Sequence, residues 1–168
     1  MFTLDTLKSA LGMTTWTLDG NNLPERTLYL TPAWVIGFNN LPGPRNSQQL
    51  TRDLSIRGRV SGLATRFVAG DTWNQMLVSK GDGSEPIFRR MRKPNECVVE
   101  MRTVQTRTFG FFARTHLFVA CSIVLTDLLK AEGNAGYLRH AADVQKLISR
   151  LSPSEYDCTT DVRSLIAK

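Results

Sequence analysis

Three arginines interrupt the most apolar stretch of the chain, residues 97–129, CVVEMRTVQTRTFGFFARTHLFVACSIVLTDLL. Arg102, Arg107 and Arg114 stand among valines, phenylalanines and leucines whose pattern indicates strands with a buried face. A guanidinium keeps its charge at every physiological pH and presents a planar set of donors that suits phosphate groups. The positions of these arginines therefore point to anion binding.

Two of the arginines are predicted to face each other. Side chains alternate between the faces of a strand, so Glu100 and Arg102 share one face of a strand over residues 98–103. A turn over residues 103–106 would place Arg107 directly opposite Arg102, where the two charges repel by up to about 1 kcal/mol. A bound anion would offset that cost. Two other interpretations stay open: Glu100 neutralises one arginine, or a register shifted by one residue turns one of them away.

The basic residues are concentrated in one part of the chain. The 168 residues carry a formal net charge of +6, and the pI is about 9.6. Between residues 86 and 116, seven basic side chains against Glu96 and Glu100 give a charge of +5. Such a cluster favours an anionic partner, most often a nucleic acid, although a solvated face or an acidic protein partner also explains it. The seven are Arg89, Arg90, Arg92, Lys93, Arg102, Arg107 and Arg114.

The cysteines and the hydropathy pattern predict a cytoplasmic protein. Cys97, Cys121 and Cys158 are odd in number and lack CxxC spacing, so we expect reduced core thiols. The N-terminus has no signal-peptide pattern. The longest apolar run, residues 109–129, carries Arg114, His116 and Asp127, which makes it a poor membrane span. We expect no membrane association.

Prolines and glycines divide the chain. The segment LPGPRN, residues 41–46, breaks whatever precedes it. We therefore expect an N-terminal extension of unknown role over residues 1–46, a main domain over residues 47–153, and a tail over residues 154–168 with a short helix. One main domain fits the length and the 42% hydrophobic content.

The elements before the junction are short. Residues 4–11 are expected to form a helix that ends at Gly12, and a hairpin or loop pair is expected around Asp19-Gly20. Residues 31–38, TPAWVIGF, are compatible with either a strand or a helix.

Helices are expected to lead into the sheet. Leucines and phenylalanines between residues 50 and 70 predict one or two helices with a weak point near Gly58. Asp71 is expected to cap a second helix over residues 72–81, and residues 81–86 are expected to form a loop.

The sheet itself is predicted from three runs. Residues 98–103 and 107–114 form an antiparallel pair, and residues 117–126 form a central strand buried on both faces. A helix over residues 134–151 follows and stops before Pro153. The order predicts the α+β class, with a small antiparallel sheet flanked by helices.

At these segments the chain resembles the RelE/ParE toxin superfamily, in particular its HigB-like and phage-derived members. The resemblance covers about residues 47–151 and is carried by VEMR, TRTFGFF, LFVACSIVLTDLLK and YLRHAADVQKLISRL. It implies a compact antiparallel sheet and, in many members, a metal-independent, ribosome-dependent endoribonuclease that cleaves messenger RNA. It also implies a cognate antitoxin as partner and no cofactor.

The resemblance also suggests site residues. By position, Arg107 matches the arginine of the second strand, Lys130 the basic residue after the third, and Tyr137 a late aromatic used in some members. Glu100 stands where active members carry a catalytic lysine. The segment with Arg89, Arg90, Arg92 and Lys93 matches a general basic region, which together with Arg102 and Arg114 is expected to bind nucleic acid.

The two histidines leave one further candidate. His140 follows Tyr137 by three residues on the predicted last helix, so the two are neighbours on its surface. His140 is either a general acid or base near neutral pH or an ordinary surface histidine. Neither His140 nor His116 has a second ligand at metal spacing, so no metal site is expected.

Three functions are compatible with these features. The first is a toxin-like endoribonuclease acting on messenger RNA at the ribosome. The second is a non-catalytic protein of the same fold that binds nucleic acid or protein as a phage or mobile-element regulator. The third is the gyrase-directed branch of the superfamily.

Overall fold

The computed structural model describes residues 1–18, 23–43, 55–80 and 83–167. Within these ranges the helices and strands are largely segregated, because six strands follow one another between the third and the fourth helix, which confirms the predicted α+β class. The helices are α1 (Leu4–Leu11), α2 (Pro32–Asn39), α3 (Ile56–Val68), α4 (Thr126–Glu132), α5 (Asn134–Ile148) and α6 (Val162–Ile166), with a 3-10 helix at Pro153–Glu155. The strands are β1 (Thr14–Thr15), β2 (Thr27–Leu30), β3 (Leu77–Lys80), β4 (Gly83–Pro86), β5 (Phe88–Arg90), β6 (Val99–Arg102), β7 (Thr106–Arg114) and β8 (Leu117–Leu125).

The main sheet has six strands in the order β1-β2-β8-β7-β6-β5. β8 lies between β2 and β7, so its apolar run is a central strand as predicted. The expectation of a wholly antiparallel sheet is wrong, because β2 runs parallel to β8 and Leu28 pairs with Phe118. Parallel neighbours need a long crossover, and the chain between β2 and β8 includes α2, α3 and the sheet strands β5, β6 and β7.

Helices cover both faces of the main sheet and bury a separate cluster on each. On one face α2, α3 and α6 pack over aromatic side chains such as Phe112 and Phe118. On the other face α1, α4 and α5 pack over Phe109 and Phe111. This division follows from strand alternation in β7, which sends the adjacent residues Phe111 and Phe112 to opposite faces.

Residues 1–46, predicted as an extension, contribute to this sheet and its core. They supply β1 and β2, and Trp34 on α2 is 1% exposed and donates a hydrogen bond of 3.1 Å from Nε1 to Thr108 Oγ1. The helix ending at Gly12 is confirmed, since Gly12 adopts a φ of +62° as its C-cap. Residues 31–38 resolve as a helix that Thr31 caps and Pro32 opens.

Several expectations lie outside the described residues. These are the turn at Asp19-Gly20, the junction at residues 44–46, and the helical positions Leu50 and Leu54. Downstream of them, α3 begins after its N-cap Ser55 and runs through Gly58 without a break.

The helix expected after Asp71 is wrong, and the loop expected over residues 81–86 is wrong at residues 83–86, which form a strand. Residues 81–82 lie outside the described part of the chain. The chain makes one turn after Asp71, in which the Gln75 side chain accepts a hydrogen bond from the Thr72 backbone, and then enters β3. β3 pairs with β4 in a two-stranded sheet. Local capping within one turn, followed by the β-branched Val78 in an extended run, outweighs the helical pattern.

The expectation of three reduced thiols is also wrong for two of them. Cys97 and Cys158 form a disulfide that spans 61 residues of sequence, whereas Cys121 is a buried free thiol. Burial raises the pKa of the Cys121 thiol. The disulfide ties the loop before β6 to the tail, which continues into the predicted short helix, α6.

None of the helices in the described ranges has both the length and the apolar character that crossing a bilayer requires.

Gly110 in β7 provides a stability test of the central strand pair. A Cβ there would collide with the carbonyl oxygen of Val119 and lie 2.7 Å from Phe118 Cζ. We expect Gly110→Ala to lower the free energy of unfolding by about 1–3 kcal/mol, because a packed core resists an extra methyl group. Chemical denaturation measures it.

The control is Gly62→Ala on α3, where the new Cβ would meet no atom of the described residues within 4 Å, apart from its chain neighbours and the backbone of its own helix. That change is expected to stabilise the helix by about 0.5–1 kcal/mol. Equal effects of the two substitutions would contradict the close packing of β7 on β8.

Candidate nucleic-acid interface

An open groove of about 530 Å³ lies between the β5–β6 end of the main sheet and the first turns of α5. We call it the arginine groove. It brings together most of the side chains singled out from the sequence and carries six basic groups around one carboxylate. Its lining residues are Arg89, Arg90, Met91, Arg92, Lys93, Pro94, Asn95, Glu100, Arg102, Arg107, Asn134, Tyr137 and Leu138.

The floor of the arginine groove is the ladder between β6 and β7. Arg102 lies directly opposite Arg107, as the predicted turn requires. Glu100 pairs with Phe109 on one side and with Arg89 on the other. Strand alternation therefore places the carboxylate and three guanidinium groups on the same face.

Glu100 is the central acidic group of the floor. Glu100 is only 9% exposed, and its Oε2 lies 3.9 Å from Arg107 Nε. Burial raises the pKa of the Glu100 carboxyl, and the charges of Arg107, Arg102 and Arg89 oppose that rise without cancelling it. A carboxyl with a raised pKa is a stronger proton acceptor when it is ionised. In an open groove such a carboxylate is suited to accept a proton from a bound ligand.

Arg107 is held in place by the turn that precedes it. Its Nη1 donates hydrogen bonds to the carbonyl oxygens of Thr103 (2.7 Å) and Thr106 (2.9 Å) and to Thr126 Oγ1 (3.2 Å). Its Nη2 makes no hydrogen bond to the described residues. One end of the guanidinium is thus fixed, while another donor stays available to a ligand.

Arg102 is more completely engaged by the fold. Nη1 donates to Glu85 Oε2 (3.1 Å) and Nη2 to the carbonyl oxygen of Pro86 (2.7 Å). Burial lowers the pKa of Arg102, and the like charge of Arg107 adds to that effect. Its Nε is buried and has no hydrogen-bond partner in the described residues. Arg102 therefore adds positive charge to the floor, while its donors are either used by the protein or buried.

The rim of the groove carries exposed cations. Arg89, Arg92 and Lys93 are exposed, and none of their side chains makes an ion pair or hydrogen bond within the described ranges. Arg90 differs, because its guanidinium donates to the carbonyl oxygens of Glu96 (2.7 Å) and Thr160 (2.7 Å). Arg90 therefore anchors the tail, and the three exposed groups remain available to an anion.

The opposite side of the groove is the start of α5. The Tyr137 ring packs edge-on against Phe109, with centroids 6.0 Å apart. Asn134 and Leu138 also line this side. The sequence suggests neither as a site residue, and Leu138, expected on the apolar face of the helix, is 49% exposed. Their spacing of four residues places them on one face of a helix. The sequence shows this shared face, but only the position of the sheet shows that the face is turned to the groove.

Three predicted site residues do not line the arginine groove. Arg114 is exposed at the far end of β7, where it pairs with Leu117. Lys130 on α4 has a side chain 71% exposed and forms an ion pair with Asp127. His140 lies under α5 instead of facing the groove.

His140 has the contacts of a core residue. Its ring stacks on Phe109 at a centroid distance of 5.0 Å, and its Nδ1 is hydrogen-bonded to Ser122 Oγ at 3.0 Å. Its Nε2 is buried without a hydrogen-bond partner among the described residues. Burial, assisted by the charge of Arg139, lowers the pKa of His140. The ring is therefore neutral at neutral pH and packs α5 onto the sheet.

No protein-family model, curated protein or solved structure matches this chain.

Proposed function

We propose that the arginine groove binds the phosphate backbone of RNA and that Glu100 and Arg107 cleave it. The observation that carries this proposal is a buried carboxyl with a raised pKa, surrounded by arginines, in a groove open to solvent. Phosphates match the guanidinium and ammonium groups of the rim. The ribose 2′-hydroxyl supplies a proton for the carboxylate to accept.

The chemistry is an intramolecular transesterification. The Glu100 carboxylate takes the proton of the 2′-hydroxyl while the 2′-oxygen forms a bond to the adjacent phosphorus. Arg107 stabilises the negative charge that develops on the phosphorane. The bond from phosphorus to the 5′-oxygen then breaks, and that oxygen takes a proton from water. The products are a 2′,3′-cyclic phosphate and a free 5′-hydroxyl.

The resemblance to the RelE/ParE superfamily supports the biological setting of this proposal. It favours messenger RNA on the ribosome as the substrate, an antitoxin as the partner and the cytoplasm as the location. The site carries Glu100 where active members of that family have a lysine, so the proposed proton acceptor is a carboxylate.

A non-catalytic RNA- or protein-binding regulator is the second candidate. The observation that favours it is the use of Arg90 and Arg102 in hydrogen bonds to the protein's own oxygen atoms. In that case the rim cations bind the ligand and Glu100 balances the charge of Arg107. RNA binding without cleavage would favour this candidate.

RNA affinity is expected to fall steeply as salt rises, because phosphate contacts release counterions. The double variant Arg92→Ala/Lys93→Ala should bind RNA more weakly. It should also make the slope of log affinity against log salt concentration less steep, by about 0.7 for each phosphate that is no longer neutralised. Titration of labelled RNA at several salt concentrations measures both quantities.

The matched control removes two exposed charges outside the groove, in the variant Lys146→Ala/Arg150→Ala. It changes the net charge equally and should leave the slope nearly unchanged. No RNA binding at low salt would refute the proposed function. Equal effects of the two double variants would assign the binding to net charge instead of the groove.

A further inference from the structure

The α5 side of the arginine groove differs from the rest of its lining. Asn134, Tyr137 and Leu138 present an amide, an aromatic ring and an aliphatic side chain, whereas the rim opposite presents cations. Leu138 is 49% exposed although it lies in a groove. Phosphate binding requires none of these three groups. We therefore expect them to contact a part of the ligand other than its phosphate.

We propose that this α5 side holds the base of one unpaired nucleotide, so that the groove selects single-stranded over duplex RNA. The inference rests on the proposed function and adds the form of the substrate. A nucleotide has the same division as the groove, with an anionic phosphate at one end and a flat apolar base with a polar edge at the other. The groove's volume of about 530 Å³ lies within the range of sites that enclose one small ligand.

Each group on α5 has a defined part in holding a base. Bases stack on aromatic and apolar side chains whatever their sequence, and Tyr137 is braced for this by its edge contact with Phe109. Leu138, the next residue of the helix, adds an exposed aliphatic side chain to the lining of the same groove. The Asn134 amide offers both a donor and an acceptor, which suits the edge of a base.

Base pairing is incompatible with this arrangement. In an A-form duplex the bases are stacked inside the helix, and the deep major groove excludes side chains. A base reaches α5 only when it is unpaired and turned away from its neighbours. Phosphates of a duplex still reach the exposed Arg89, Arg92 and Lys93, so a duplex is bound by charge alone.

Exposure by itself does not distinguish Leu138, since Leu128 on α4 is 54% exposed. Leu128 does not line the groove. The pair therefore gives a matched test in which the same substitution removes a similar apolar area inside and outside the proposed base site.

The experiment measures binding of labelled RNAs about ten nucleotides long, within the range of single-strand site sizes, as single strands and as duplexes. Wild-type protein is expected to bind the single strand more tightly. Leu138→Ala should weaken single-strand binding about 5- to 10-fold, because the base then has less apolar surface to stack on. It should leave duplex affinity and the salt slope unchanged. Leu128→Ala should change none of these, and Asn134→Ala should reduce the difference in affinity among poly-A, poly-C and poly-U strands.

Equal affinity for the two forms of RNA, with no effect of Leu138→Ala or Asn134→Ala, would overturn the inference. A salt slope that still responds to Arg92→Ala/Lys93→Ala would then leave the proposed RNA binding in place. Absence of RNA binding at low salt would remove both.

Discussion

Replacing either Cys97 or Cys158 with serine is expected to lower the free energy of unfolding by about 4 kcal/mol. The disulfide joins residues 61 positions apart, and a cross-link that closes a long loop removes much of the entropy of the unfolded chain. It also holds the tail beside β5, where Arg90 hydrogen-bonds the carbonyl oxygen of Thr160 and where Val162 and Ile166 enter the core. Thermal and chemical unfolding with and without dithiothreitol measure the effect.

The controls separate the cross-link from the loss of a thiol. Cys121→Ala leaves the disulfide intact and should remain sensitive to dithiothreitol, whereas the two serine variants should not respond to it. The double variant Cys97→Ser/Cys158→Ser should be no less stable than either single variant. Three titratable thiols in the denatured, unreduced protein, instead of one, would show that the cross-link is absent.

The same titration bears on where the protein resides. Disulfides persist in oxidising compartments and are rare in the cytosol. A thiol count on protein taken directly from the cell therefore tests the cytoplasmic location that the sequence suggests.

Local periodicity predicts the strands that form the floor of the arginine groove, but it leaves their register open by one residue. Alternation of apolar residues indicated the strand with Glu100 and Arg102, and the length of the turn placed Arg107 opposite Arg102. Both are short-range properties of strands, so the sequence indicates them, and the observed pairing of Arg102 with Arg107 decides the register.

Contacts between distant segments were not predictable in the same way. The parallel pairing of β2 with β8 joins segments separated by most of the main sheet, and β2 has only four residues with no distinctive pattern. Cys97 and Cys158 carry no spacing motif, so only the folded chain shows that they meet. The interpretation of all three cysteines as thiols failed for that reason.

The α5 side of the groove depends on how one helix is oriented. A Cβ at Gly136 would lie 2.6 Å from Glu132 Oε2, 3.0 Å from Glu132 Cβ and 3.3 Å from Leu129 Cδ2, so the absence of a side chain there lets the start of α5 lie close to α4. In this orientation His140 lies under the helix against Ser122 and Phe109, and Leu138 lines the groove. The sequence showed that Tyr137 and His140 are neighbours but not which of the two faces solvent.

The strongest test of the proposed cleavage is Glu100→Gln, which should lower kcat/KM by about 10²- to 10⁴-fold, the range expected for loss of a general base. Glutamine keeps the shape of the side chain but accepts no proton. Arg107 gives a less specific test, because its substitution also removes hydrogen bonds to Thr103, Thr106 and Thr126 and so alters the turn. Glu132→Gln on α4, outside the groove, is the control for the same chemical change.

The pH dependence distinguishes a base from a structural carboxylate. Glu100 must be ionised to accept a proton, so cleavage should decline as pH falls through its pKa, and burial raises that pKa above the ordinary glutamate value. The acidic limb of the kcat/KM profile should therefore lie above pH 4.5 in the wild type and vanish from the residual activity of Glu100→Gln.

The contribution of Glu100 to the free energy of unfolding should change with pH in the opposite sense to its contribution to cleavage. Because the folded-state pKa is raised, the protonated carboxyl favours folding below the unfolded pKa, and this contribution is lost as pH rises through the folded pKa. Above that window Glu100→Gln should be at least as stable as the wild type. A variant that unfolds there would make Glu100 a structural partner of Arg107, and one that cleaves RNA at the wild-type rate would leave the groove as a binding site alone.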